Sequence, residues 1–277
     1  MKKRKVRKII ESALQEDFHD VGDVTSEAIF ANEEDSFVLL SKADGILCGK
    51  EIFLETFHII DNNCNIEFHF TDGSKITNGD VIASIDGSIS SILKAERTAL
   101  NFISHMSGIA TKTGNFVREA GDRCRILDTR KTIPGLRKLE KYAVRCGGGQ
   151  NHRMGLYDMV MIKDNHIDSA GNIEKAVGKI REKWGSKFKI EVETRNLEEV
   201  KQALISEADR VMLDNMSLDM MKEAVKMIAG KSKVEASGNM TLQRIQSVAA
   251  TGVDFISVGE LTHSVKAFDF SLQKKKK

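Results

Sequence analysis

Proline occurs once in the 277 residues, at Pro134, and aromatic residues make up only 6% of the chain, with one Trp and two Tyr. So little proline excludes collagen-like, mucin-like and proline-rich linker sequences. Cysteine is also scarce: Cys48, Cys64, Cys124 and Cys146 are far apart, and no C-x-x-C pair is present. That spacing shows no disulfide framework or zinc knuckle and predicts reduced, mostly buried thiols. No uncharged apolar run approaches the roughly 20 residues that a membrane span requires. The basic start, Met1 to Lys8, is followed by Glu11 before an apolar segment can form, so it reads as the first turns of a helix rather than as a signal sequence. Excess charge of one sign is missing as well, because 42 basic residues offset 40 acidic ones. The net charge of +2 gives no global drive toward nucleic acid or an anionic membrane, so electrostatic function must arise from local clusters. A cytoplasmic protein is expected.

Apolar content is ample, at 41%, and a chain of this length buries roughly three quarters of its unfolded surface in one large core or two smaller ones. The first hundred residues read as mixed α and β. Residues 37–48 and 64–70 have strand character, the second with strict alternation, and residues 51–60 between them have helical character. Asp72-Gly73, Asn78-Gly79 and Asp86-Gly87 are expected at tight turns, where glycine accepts positive φ. Helical spacing over Ser91 to His105 then puts Ile92, Leu93, Ala99, Leu100 and Ile103 on one side, with Ser90 or Ser91 as N-cap and Arg97 partly exposed.

Beyond residue 120, short apolar strands alternate with amphipathic helices. Strands are expected at 125–129, 159–163, 189–193, 210–214, 234–237 and 255–259. Helical apolar spacing follows in Ile173/Val177/Ile180/Trp184, Leu197/Val200/Leu204, Leu218/Met221/Val225/Ile228 and Leu242/Ile245/Ala249. Such βα units force parallel strands, in a barrel or a doubly wound sheet.

Parallel α/β folds build their sites from the carboxyl ends of strands. Here those ends are polar: Asp128 to Lys131, Lys163 to His166, Glu191 to Glu193, Asp214-Asn215, Ser237 to Asn239, and Gly259-Glu260. Glu191 and Glu193 point to the same face of their strand, which suggests a structural carboxylate at Glu191 and a free one at Glu193. A basic block adds Arg123, Arg125, Arg130, Lys131, Arg137, Lys138, Lys141, Arg145 and Arg153, against Asp128 and Glu140 only. It reads as an anion site or a nucleic-acid face, and the lone aromatic Tyr142 within it favours a compact multianionic small molecule. Glu193 and Asp214 are the carboxylates that Mg²⁺ on phosphate oxygens requires. Gly147-Gly148-Gly149 offers backbone amides that approach an anion closely, although neither a dinucleotide fingerprint nor a P-loop is present. His152 and His166 fit hydrogen-bonding roles better than that of a general base.

The run Asp128-Thr129-Arg130-Lys131-Thr132-Ile133-Pro134-Gly135-Leu136 resembles the quinolinate phosphoribosyltransferases, as do Gly147 to Arg153, Leu156-Tyr157-Asp158 and Ile162-Lys163-Asp164-Asn165-His166. The likeness continues through Glu191 to Thr194, Leu213 to Met216, Glu235 to Gly238 and Gly259 to Ser264. In the amino-terminal half it takes in Gly22 to Ser26, Ala43 to Gly45 and Glu96 to Asn101, so it covers nearly the whole chain.

This resemblance implies an α/β fold: an amino-terminal open-faced α/β sandwich over 1–112, completed by 266–277, beside an incomplete α/β barrel over 113–265. It implies phosphoribosyl transfer from phosphoribosyl pyrophosphate to quinolinate with Mg²⁺, releasing pyrophosphate and CO₂ and leaving nicotinate mononucleotide for NAD synthesis. By similarity, Arg130, Arg153, His152, Lys163 and the Arg97 of a second subunit bind quinolinate, within a homodimer or higher homo-oligomer. Lys131, Lys163, Glu193 and Asp214 handle ribose, pyrophosphate and metal, and Thr129, Ser237, Gly238, Asn239, Gly259 and His263 complete the implied substrate site. A related enzyme with altered substrate, such as a nicotinate-using phosphoribosyltransferase or the molybdenum-transport-associated relative, is disfavoured by Lys163-Asp164-Asn165-His166 and the arginine set. A nucleic-acid or anion-binding protein using the basic block and the tail Lys274 to Lys277 is the rival from another class, and the tail reads more simply as a solvated end.

Overall fold

The computed structural model describes residues 3–275. Met1, Lys2, Lys276 and Lys277, at the ends of the two basic termini, lie outside the described residues. Contacts divide the chain into a first unit of Met1–Gly114, Ile133–Gly148 and Ser264–Lys277 and a second of Asn115–Thr132 and Gly149–His263.

The chain opens with α1 (Lys3–Phe18), α2 (Ser26–Ile29), β1 (Glu34–Ser41), β2 (Gly45–Ile46), α3 (Lys50–Ile60), β3 (Asn65–Phe68), β4 (Lys75–Ile76) and β5 (Val81–Ser88). The long helix α4 (Ile89–Ala120) follows, then β6 (Arg125–Leu127), α5 (Arg137–Cys146), β7 (Val160–Ile162), α6 (Asp164–Ala170) and α7 (Ile173–Trp184). Next come β8 (Ile190–Thr194), α8 (Leu197–Ile205), β9 (Arg210–Asp214), α9 (Leu218–Ile228) and β10 (Lys233–Ser237). The chain ends with α10 (Leu242–Ala249), β11 (Phe255–Ser257), α11 (Glu260–His263) and β12 (Phe270–Lys274).

In the first unit an antiparallel sheet of order β12-β1-β5-β3 is covered by helices. Phe53 and Phe57, one turn apart on α3, and Ile92, Ala95, Ala99 and Ile103, spaced three to four apart on α4, are buried against Leu39, Ile82 and Ile85 of the sheet. The last strand pairs with β1, and Lys274 adds an ion pair to Asp35, so this part of the basic tail is fixed in the sheet.

Local expectations are corrected at three places. Gly73 and Gly79 do turn the chain with φ of +91° and +95°, whereas Asp86-Gly87 lies inside β5, where Gly87 pairs with Asp35 and packs on Cys64. The helix expected from Ser91 starts at Ile89, so Ser90 and Ser91 lie within it: Ser88 Oγ accepts the Ser91 amide, and the Ser91 hydroxyl donates to Asp61. Residues 42–44 interrupt the strand expected over 37–48.

The second unit holds a six-stranded parallel sheet of order β6-β11-β10-β9-β8-β7. From β7 to β11 each strand lies beside its predecessor, so the winding never reverses, which decides for a barrel over a doubly wound sheet. The ring is incomplete because β6 and β7 are unpaired with each other, and Gln150 makes only a single bridge to Leu127 there. Asn172, Asn196 and Ser217 cap α7, α8 and α9 by accepting the amides of Lys175, Glu199 and Met220. These helices bury Ile173 and Val177, Val200 and Ala203, and Met221 and Ala224 at the expected spacing. Trp184 departs from the expected apolar stripe: it ends α7 exposed, edge-on to Phe188.

Candidate active site

Side chains of a strand alternate between its two faces, so residues two apart share one side. In the second unit this parity sends Met161 and Lys163, Glu191 and Glu193, Met212 and Asp214, Glu235 and Ser237, and Ser257 and Gly259 toward the barrel interior. All but Glu191 line one cavity of about 810 Å³ at the carboxyl ends of the strands. Thr129, Arg130 and Lys131 join it from the end of β6, and His152, Arg153, Gly238, Asn239 and His263 from the loops and α11. Every expected site residue of the second unit is therefore present in one lining. Arg97, exposed on α4 in the first unit, is not among the lining residues.

The cations converge. Burial and the neighbouring Arg130 charge push the Arg153 guanidinium below its ordinary value, and an anion between the two relieves both penalties. Arg153 is aimed by donation to the Met159 carbonyl at 3.3 Å. Both arginines and Lys163 also border an adjoining, more apolar recess of about 580 Å³ beside Met159 and Ile162. Lys131 is held at the rim, where its carbonyl accepts from the Thr262 hydroxyl at 2.7 Å and its stem lies against Gly259.

Glu193 is not free, contrary to the expectation: its carboxylate accepts from Lys163 Nζ at 2.7 Å. Asp214 stands on the next strand and accepts from Asn215 at 2.9 Å, and Asn215 in turn accepts from Asn239 at 3.0 Å. This rim requires glycine at Gly238, whose φ is +92° and whose Cα lies so close to Asn215 that a Cβ would fall 2.3 Å from its side-chain oxygen.

Beneath the cavity lies a buried ionic layer. His152 Nε2 sits 3.0 Å from Glu191 and 3.4 Å from Glu235, while Arg210 donates to Glu235 at 2.7 Å and stacks on Phe255. Burial opposes charge on His152, and the hydrogen bonds and charges of the two carboxylates favour it. Burial and the charge of Glu235 push Glu191 up to about 7. Although these three side chains cluster within 4.8 Å, they are poor metal ligands. The Arg153 amide donates to Nδ1 at 2.7 Å, so the ring carries its proton on Nε2, where a cation would need a lone pair. Asp128, wholly buried, accepts the His152 amide at 2.9 Å and thereby fixes the segment that carries both His152 and Arg153. Sequence reasoning placed Asp128 among the polar strand ends without giving it a role, and it missed Arg210 and Glu235, whose charges within strands read as solvated.

Of the basic block, Arg130, Lys131 and Arg153 line the cavity of the second unit. Arg123 and Arg125 stand at the opposite end of β6 from the cavity, and Arg137, Lys138, Lys141 and Arg145 belong to α5 in the first unit. The triple glycine serves packing: a Cβ on Gly147 would meet the Ala110 carbonyl of α4 at 2.3 Å. His166 is exposed, accepting the Lys163 amide at 3.0 Å at the start of α6.

Family models for the N-terminal and C-terminal domains of quinolinate phosphoribosyl transferase match residues 23–107 and 109–273. The chain belongs to the quinolinate phosphoribosyltransferase family. It is 43% identical to a probable nicotinate-nucleotide pyrophosphorylase (carboxylating) of Bacillus subtilis, over 96% of this chain and 92% of that one. A chloroplastic nicotinate-nucleotide pyrophosphorylase (carboxylating) of Arabidopsis thaliana is 44% identical, over 97% of this chain and 82% of that one. Among solved structures, the nicotinate-nucleotide pyrophosphorylase of Francisella tularensis matches with a TM-score of 0.95 at 43% identity, covering 98% of this chain and 96% of that chain. Quinolinate phosphoribosyltransferases thus share the two-part α/β fold described here.

Proposed function

We propose that the protein transfers the phosphoribosyl group of phosphoribosyl pyrophosphate to quinolinate and releases CO₂, yielding nicotinate mononucleotide and pyrophosphate. The observation that carries this reading is the pairing of Arg130 and Arg153 in a cavity that also holds Lys131 and Lys163. Quinolinate is a dicarboxylate, and forked guanidinium groups bind carboxylates in two parallel hydrogen bonds. Arg130 and Arg153 take its carboxylates, and His152 keeps Arg153 in place through the backbone bond at Nδ1.

Lys131 and Lys163 bind the diphosphate, with Ser237, Gly238, Asn239, Gly259 and His263 around the phosphoribosyl group and Thr129 holding the Lys131 amide. Positive charge develops on the ribosyl carbon as pyrophosphate departs, and the Glu193 and Asp214 carboxylates stabilise it. The same two carboxylates would hold Mg²⁺, which would supply neutralisation of the charge on the leaving pyrophosphate. Attack by the pyridine nitrogen makes a pyridinium; as the adjacent carboxylate departs as CO₂, the C–C electron pair stays on the ring carbon, stabilised by the positive nitrogen, and a proton from solvent then completes the C–H bond. No covalent intermediate with the chain is required.

Arg97 is proposed to complete the site of another copy within a homodimer or larger homo-oligomer, which its exposure on α4 permits. Free thiols at all four cysteines fit the cytoplasm, and among the described residues no helix is long and apolar enough to cross a membrane. The test is to supply quinolinate, phosphoribosyl pyrophosphate and Mg²⁺ and to measure nicotinate mononucleotide and CO₂. Equal amounts of the two products are expected; turnover of nicotinate in preference to quinolinate would refute the assignment.

A further inference from the structure

Two cysteines that are distant in sequence meet in the first unit. Cys48, just before α3, and Cys146, the last residue of α5, place their sulfurs and an Asp72 carboxylate oxygen within 4.8 Å of one another. The Cys48 backbone is clamped at both polar groups by Ser107, whose hydroxyl accepts its amide at 2.9 Å and donates to its carbonyl at 3.0 Å. Asp72 is already committed: it accepts the Gly49 and Lys50 amides at the start of α3 and the Tyr142 hydroxyl at 2.8 Å. A cation would have to break this cap, so the geometry favours chemistry between the two sulfurs over metal binding.

The two thiols are not equivalent. Cys48 is fully buried and Cys146 is partly exposed. The neighbouring Cys48 thiol, with the charge of Arg145, holds the Cys146 thiol below its ordinary value. The same closeness and burial push Cys48 up. Burial alone dominates at Cys64 and Cys124, both raised to about 11. A partly exposed nucleophilic sulfur beside a buried partner is the arrangement that peroxide-responsive thiols require.

We propose that Cys48 and Cys146 form a reversible disulfide when the protein meets a peroxide, with Cys146 as the attacking sulfur. The Cys146 thiolate attacks one oxygen of hydrogen peroxide, the O–O bond breaks, and hydroxide leaves to become water, so Cys146 becomes a sulfenic acid. The Cys48 sulfur then attacks that sulfur. The S–O bond breaks, hydroxide leaves with the Cys48 proton as a second water, and the S–S bond closes. Two thiols lose two electrons and the peroxide gains them. A dithiol reductant restores both thiols by exchange.

Hydrogen peroxide applied to the folded full-length chain tests this. Titratable thiols are expected to fall from the four of the reduced protein to two, with a peptide linking Cys48 to Cys146 in a non-reducing digest and full recovery with dithiothreitol. Because the bond joins remote positions, the oxidised protein is expected to melt at least about 3 °C higher than the reduced one. Cys48→Ser should leave a sulfenic acid on Cys146 that dimedone traps, and Cys146→Ser should leave Cys48 unmodified, with Cys64 and Cys124 reduced in both. Oxidation first at Cys64 or Cys124, Cys146 sulfinic acid without the linked peptide, or four thiols surviving peroxide would overturn the proposal. Retention of zinc by the purified reduced protein, lost in Cys146→Ser, would do the same in favour of a metal site.

Discussion

Arg153 illustrates how a single side chain acquires a role from its setting. Its guanidinium is partly desolvated and shares its surroundings with Arg130, so the arrangement is costly until an anion enters. Arg153→Ala or Arg130→Ala is therefore expected to lower kcat/KM by roughly 30- to 5,000-fold, about 2–5 kcal/mol of transition-state binding. Steady-state kinetics within threefold of wild type would remove that arginine from the site. The buried layer below predicts a pH signature. Glu191 is raised on folding to about 7, so between its unfolded and folded values the native chain holds a proton that the unfolded one has lost. Its stabilising contribution is complete below the unfolded value and is lost as pH climbs through the folded one. The melting temperature should thus decline between about pH 5 and pH 7, and Glu191→Gln should flatten that decline. A slope identical to wild type in scanning calorimetry would show that Glu191 does not titrate there.

At the scale of elements, the rim joining β9 to β10 depends on one missing Cβ. Gly238→Ala forces Asn215 away from Asp214 and strains a positive φ, at a cost of about 1–3 kcal/mol. Both a lower melting temperature and a lower kcat/KM are expected. Gly230→Ala, at φ +77° with open space around its Cα, should share only the loss of stability. Equal kinetics for the two variants would show that the rim contact does not matter. Much of this architecture was legible, because period-two alternation locates strands and polar strand ends locate a barrel mouth. Thirteen of the fourteen expected substrate contacts line the cavity for that reason, with Arg97 the exception. What escaped was whatever depends on three or more segments meeting. Glu235 and Arg210 look solvated in a linear pattern, and only the curling of neighbouring strands into a barrel wall turns them inward. Gly87 has the signature of a turn, yet its pairing with Asp35 of β1 keeps it within the strand. The basic block, contiguous in sequence, is divided between the two units: the chain leaves the second after Thr132 and returns to it at Gly149.

At the scale of the whole molecule, the assembly proposed around Arg97 has a direct check. Neither Arg97→Ala nor Lys163→Ala alone should retain substantial activity, but a mixture allowed to exchange subunits should form some sites with both residues intact. Absence of recovery after exchange is verified by tagged-subunit pull-down would refute a shared site.

The interleaving of segments carries a further consequence. Helix α4 runs unbroken across the division at Gly114, and the excursion from Ile133 to Gly148 plants Leu139, Ala143 and Val144 in the first unit before the chain comes back to supply His152 and Arg153. No single scissors-cut of the gene yields either half intact. A fragment spanning only the barrel strands would drag a greasy helix deprived of its burial partners, and a chimera made by joining halves of two relatives would mismatch that helix against foreign packing. Recombination within such a sequence is therefore constrained to exchange the excursion together with the first unit, as one heritable block.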